Sequence, residues 1–174
     1  MRVIPLLLAA ASCAGRPPTA PHAGPATRTA GARRDWVIER ASEAIQGGDL
    51  VKARRILERE RWLAEDRARA ALLYFDCLLA EGKFADAVEA LRSYLQMTPR
   101  IRGGRAAVAL RLLRHHQSGG GLEARTPEEA CHFGLYALKA LGEAAEARED
   151  LARAAAKAPE PERSLARAFL EPAR

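Results

Sequence analysis

Gly48, Ala53 and Leu57 recur as Gly82, Ala87 and Leu91, each displaced by 34 residues, and the same spacing returns as Gly142, Ala147 and Leu151. A fixed period of that length marks helical hairpins packed side by side, because one hairpin cannot bury its apolar face without neighbours. Ala, Leu, Arg and Glu, all good helix formers, supply the residues between these anchors. Val and Ile are sparse, and no run alternates apolar with polar, so a sheet has no support. Hydrophobic residues make up 48% of the 174-residue chain, enough for a core, although aromatics are only 5%. The chain therefore reads as all-α.

The clearest copy runs over 68–101. Tyr74, Phe75 and Leu78 share one face of its first helix, Gly82 and Phe84 make the turn, and Ala87, Leu91 and Tyr94 form the inner stripe of the second. Pro99 ends it. A weaker copy over 34–67 keeps Ala41, Gly48, Ala53 and Leu57, with Asp66 as a cap into the next helix. A further copy spans 128–161. Thr126-Pro127-Glu128-Glu129 opens it with an N-cap, a first-turn proline and a capping-box carboxylate, and Ala154 and Pro159 follow its anchors. Between the second and last copies the period fails. Gly103-Gly104 breaks the chain, 105–116 reads as one helix, and Ser118 to Gly121 forms a loop, so 102–127 is a degenerate unit.

This pattern resembles the tetratricopeptide repeat (TPR). The resemblance implies a short α-solenoid of TPR-like helical hairpins over 34–174, right-handed, with a C-terminal capping helix in 162–171. Gly134 stands one place from the family's small position, which implies an extra residue in that first helix. Phe75 departs from the family's Gly or Ala and implies a wider helix crossing. By resemblance, first helices line a concave groove. Its residues are Arg69, Leu72, Asp76 and Leu79 in one copy and His132, Tyr136 and Lys139 in the later one. Steps of three or four residues make each set a stripe, suited to a protein or peptide laid across it. The family's Lys and Asn pattern for gripping a peptide carboxylate is absent.

At the start of the chain, Met1-Arg2 and the apolar run Val3 to Ala11 fit a signal peptide over 1–12. The run is too short for a spanning helix. Ala10-Ala11-Ser12-Cys13 resembles the lipobox of bacterial lipoproteins, although Ala10 stands where that family usually has Leu. The resemblance implies acylation of Cys13, export, and a lipid anchor in the membrane. Ala14 is not the Asp that retains some lipoproteins at the inner membrane, which leans towards the outer one. An ordinary secretory signal is the alternative. Residues 13–33, with Pro17, Pro18, Pro21, Gly24 and Pro25, read as a disordered tether.

Formal net charge is +6. Arg100, Arg102, Arg105, Arg111 and Arg114 lie in a stretch without acidic residues and form a candidate basic patch for an acidic partner or anionic lipid. Few aromatics, no reader motif and an export signal argue against nucleic acid. His115-His116 and Cys131-His132 lack the spacing of a zinc site, and no nucleophile, base and orienter come together. No catalytic residue, metal or cofactor is expected. With Cys13 acylated, Cys77 and Cys131 remain, expected as two buried thiols.

The expected function is a non-catalytic protein-interaction scaffold or assembly factor anchored in the cell envelope. One alternative is a pilot or chaperone-like lipoprotein that escorts an outer-membrane subunit through an exposed Leu72 and Leu79 stripe. The other is a metal-binding enzyme using Cys131 and His132. Oligomeric state is not legible.

Overall fold

In the computed structural model, which describes residues 36–99, 103–119, 121–143 and 145–171, the period resolves into helical hairpins. Helix α1 (Trp36–Gln46) pairs with α2 (Leu50–Glu60), and α3 (Arg67–Ala80) with α4 (Phe84–Met97). A single helix, α5 (Gly104–Ser118), follows. The last hairpin joins α6 (Pro127–Tyr136) to α7 (Glu146–Lys157), and α8 (Glu162–Leu170) closes the chain. The described residues contain no strand, so the fold is all-α. The expected signal peptide, Cys13 and the tether lie outside the described residues.

The recurrent glycine ends the first helix of each hairpin. Gly48 and Gly82 have φ of +78° and +73°, a left-handed conformation that costs other residues about 1–2 kcal/mol. In the first turn the Gly48 amide donates to Ile45 O at 3.0 Å and the Asp49 amide to Ala44 O at 2.8 Å. In the second, Gly82 donates to Leu79 O at 3.0 Å and Lys83 to Leu78 O at 2.9 Å. These are the same Schellman closure, 34 residues apart. Gly142 repeats the conformation at φ +72°, but its amide and that of Glu143 both reach back to Ala137 O. The difference is a π-helical turn over Ala137–Leu141. One inserted residue produces such a bulge, so the offset of Gly134 has a physical counterpart. Gly134 lies against α7, where an added Cβ would stand 3.2 Å from Leu151 Cβ. The other anchors are interior: Ala53, Ala87, Leu57, Leu91 and Leu151 are buried, as is Ala147.

Helix α3 is the centre of the molecule. It packs against α2, α4, α5, α6 and α8, and every residue from Ala70 to Leu79 is buried. A helix that is apolar around its whole circumference must be enclosed, and this segment carries one charged residue, Asp76. Asp66 starts it, its carboxylate accepting from the Arg69 amide at 2.9 Å. The C-terminal helix was expected to cover the end of the core. It does pack on α7 and α6, but it also reaches α3 and α1 at the opposite end of the chain. That return path occupies the face on which an open groove was expected.

Candidate functional site

The two stripes expected to line a groove meet each other inside the protein. Leu72 and Leu79 are fully buried, as are Asp76, His132 and Tyr136. Helices α3 and α6 cross here, so Asp76 and His132 face one another, and Tyr136 stacks on Phe75 with ring centroids 6.1 Å apart. Tyr136 Oη also lies 3.1 Å from His116 Nδ1. None of these five side chains is presented to a partner. The reason is α3's apolar circumference, which requires cover on the side that an open solenoid would leave wet. Lys139 is exposed, with its ammonium 5.1 Å from the Phe169 ring centroid on α8. Arg69 is half-buried and bound to α8, as described next.

A charged network runs through this crossing. His132 Nδ1 lies 2.5 Å from Asp76 Oδ2, with one proton between them. Both residues are about 1% exposed or less. His132 Nε2 and Asp76 Oδ1 are buried without a hydrogen-bond partner. Beside the histidine stand Glu128, one helical turn earlier on α6, and Glu162 at the start of α8. One ring nitrogen of His132 and one oxygen from each carboxylate lie within 4.8 Å of one another. Each carboxylate is held by a guanidinium. Arg69 Nε and Nη2 donate to the two oxygens of Glu162 at 2.8 and 2.7 Å, and Nη2 also donates to Glu160 O. Arg105 Nε and Nη2 donate to Glu128, and Nη1 to Asp66 Oδ2 at 2.6 Å.

The electrostatics follow from this packing. Burial pushes the Asp76 carboxyl upward, and the adjacent His132 only partly reverses that. Burial acts against the charged form of His132. Asp76, the hydrogen bond to it, Glu162 and Glu128 outweigh burial and hold the imidazole above its ordinary value. The Glu162 hydrogen bond raises Arg69, and the Glu128 hydrogen bond raises Arg105, each against the cost of burial. Cys77 and Cys131 are buried free thiols. Burial pushes Cys131 up to about 12 and Cys77 higher still, so neither is a thiolate at neutral pH.

Among the described residues, the arginines of the candidate basic patch do not form a continuous cationic surface. Arg105 is spent on Glu128 and Asp66. Arg111 pairs with Glu129 at 2.7 Å, donates to Glu123 O at 2.8 Å and lies over the Phe133 ring. Acidic residues distant in sequence come next to these arginines once α6 docks on α5. Arg114 is exposed, and Arg100 and Arg102 lie outside the described residues.

A concavity of about 760 Å³ lies elsewhere, between the 122–127 segment, α6 and α7. Its floor includes Leu122, Ala130 and Phe133, and its rim includes Arg125, Asp150 and Lys157. No described helix is long and apolar enough to cross a membrane. No family model, curated protein or solved structure matches the chain.

Neither the coupling of Asp76 to His132 nor the roles of Glu128 and Glu162 emerged from sequence reasoning. Two signals were present. Asp76 is isolated in the run Ala70 to Leu79, which implies a partnered interior charge, and Glu128 and His132 have the i, i+4 spacing that places them on one helix face. Glu162 gave none, since an acidic first residue is ordinary at a helix start.

Proposed function

We propose that this chain is a non-catalytic protein-interaction module of the bacterial cell envelope, held at the membrane, the outer one rather than the inner, by a lipid on Cys13. The three hairpins are read as TPR-like units of a short solenoid, with α8 folded back across its inner face. The partner site is the 760 Å³ cleft beside α7 rather than the inner face. This cleft is the observation that carries the reading. Its size falls within the roughly 300–1,000 Å³ of ordinary ligand sites and suits a few side chains of an extended peptide. An apolar floor framed by charges of both signs is the arrangement that gives a peptide both anchorage and register. Arg111, stacked on Phe133 and tied to Glu129 and Glu123, keeps that floor rigid. The escort reading loses its proposed client surface, because Leu72 and Leu79 are buried.

The test places a photo-crosslinking residue at Lys157, on the cleft rim, and separately at exposed Gln96 on α4, in cells of the native host. A discrete adduct from position 157 that is missing from position 96 supports the cleft. Equal patterns, or no adduct at 157, refute it. Fractionation of Cys13→Ser checks the anchor: release from membranes is expected, and retention there rules out lipidation at that residue.

A further inference from the structure

The interior cluster around His132 holds more carboxylates than guanidiniums. Three carboxylates, Asp76, Glu128 and Glu162, face two guanidiniums, Arg69 and Arg105, so one negative charge remains in excess when the imidazole is neutral; Asp66, also bound by Arg105, is about one-third exposed. Excess charge in a buried site is costly unless paired. The second irregularity is His132 Nε2, which is fully buried and unpartnered, while Nδ1 is engaged by Asp76. A carboxylate on one imidazole nitrogen fixes the ring and leaves the other nitrogen, once its proton is released, as a lone-pair donor. Metal-binding histidines are commonly held this way.

We propose that His132, Glu128 and Glu162 form a buried site for one divalent first-row transition cation, zinc by ligand class, which fastens α8 to α6. His132 supplies Nε2, and Glu128 and Glu162 each supply a carboxylate oxygen. Asp76 is the positioning residue. Arg69 and Arg105 do not preclude coordination, because each carboxylate oxygen they engage has a second lone pair. Ligand atoms about 2.0–2.2 Å from a tetrahedral ion stand about 3.3 Å apart. A ring nitrogen of His132 and one oxygen of each carboxylate already lie within 4.8 Å of one another, so closure needs movements of about 1–1.5 Å, within the reach of side-chain rotamers. A dication also offsets the negative charge of these carboxylates once the imidazole gives up its proton. His132 and Glu162 are at most 1% exposed and Glu128 is partly buried, which fits a structural ion rather than a catalytic one. Cys131, next to His132, is not a ligand in this assignment.

The experiment strips the purified full chain with a chelator, removes the chelator, and titrates Zn²⁺ by calorimetry, with thermal unfolding in parallel. One ion per chain and a rise in Tm are expected. Co²⁺ in place of Zn²⁺ should give a spectrum without a thiolate charge-transfer band. Glu128→Gln and Glu162→Gln should each weaken Zn²⁺ about tenfold or more, and Asp76→Asn about 10–100-fold. The double variant His115→Ala, His116→Ala should bind as the parent does. Failure of the stripped protein to bind one ion saturably overturns the proposal. A thiolate band overturns it too, as does binding that survives Glu162→Gln but is lost on removing His115 and His116. The cobalt spectrum of the unmodified protein decides the matter even if a glutamate variant fails to fold.

Discussion

Replacing His132 by Leu should destabilise the protein far more than replacing His132 and Asp76 together. In the single variant the Asp76 carboxyl stays in the interior with both oxygens unpartnered, since Oδ1 already lacks a partner and Oδ2 loses the imidazole. Breaking a buried pair from one side costs about 3–5 kcal/mol. Asp76→Val should cost less, because the stranded imidazole still faces Glu162 and Glu128, which favour its protonated form. In the double variant two apolar side chains join a core that already holds Leu72, Leu79 and Leu135. Such replacements are often close to neutral. The sum of the single-variant costs should therefore exceed the double-variant cost by at least about 2 kcal/mol. A domain of this size has about 5–15 kcal/mol in total, so each variant should remain folded enough to measure. The assay is urea unfolding at pH 7 in the presence of chelator, followed by helical circular dichroism. Additivity within about 0.5 kcal/mol would refute the claim that this pair forms one energetic unit.

Raising the pH from 6.5 to 9 should lower the stability of the chelated parent. His132 is held above 6.5 in the folded state, so the folded protein binds the extra proton; its contribution is complete below 6.5 and is lost as pH rises through the folded value. The limiting slope is about 1.4 kcal/mol per pH unit, and urea unfolding of His132→Leu across the same range should lack that component. Leu72→Ala should cost about 2–5 kcal/mol in the same measurement, as expected of a core residue, whereas a groove-lining leucine in solvent would cost a few tenths. Gly82→Ala should cost about 1–2 kcal/mol through φ alone, because an added Cβ meets nothing within 4 Å; a neutral result would refute the left-handed turn. Gly134→Val should cost about 1–3 kcal/mol by forcing α6 away from Leu151.

The local architecture was legible because it depends on short-range chemistry. Gly48 and Gly82 announce a left-handed helix end, Asp66 and Thr126 are good N-caps, and both cap side chains accept from the amide three residues on. The hairpins follow from these marks and from the apolar stripes between them. How the hairpins close on each other is another matter. Read at a period of three and four, Leu72, Asp76 and Leu79 form a stripe. That arithmetic is silent on whether the stripe meets solvent or a neighbouring helix. The deciding signal was the opposite face of the same helix, where Leu73, Tyr74 and Cys77 are just as apolar. A helix with two apolar faces has no wet side to give to a groove. The arginines misled for a related reason. Counting charge along 100–114 omitted Asp66, Glu128 and Glu129, which are brought alongside only by the tertiary fold.

The extra residue in α6 ties the regular part of the molecule to its irregular part. Had that helix kept the length of its counterpart in the 68–101 copy, Gly142 would close on the carbonyl three residues back, as Gly82 does on Leu79, rather than five back on Ala137. The π turn instead lengthens α6 between its packing contacts and its turn. Upstream of it, Gly134 stays against Leu151, while His132 and Tyr136 stay against α3. The insertion is absorbed at the end of the helix remote from Glu128, so the Glu128–His132 pair keeps its one-turn spacing and its place beside Glu162. Deleting one residue from Ala137–Leu141 should therefore shorten the turn yet leave the His132–Asp76 pairing and its pH dependence intact. Loss of that dependence would mean that the π turn, rather than the α3–α6 crossing, positions the histidine.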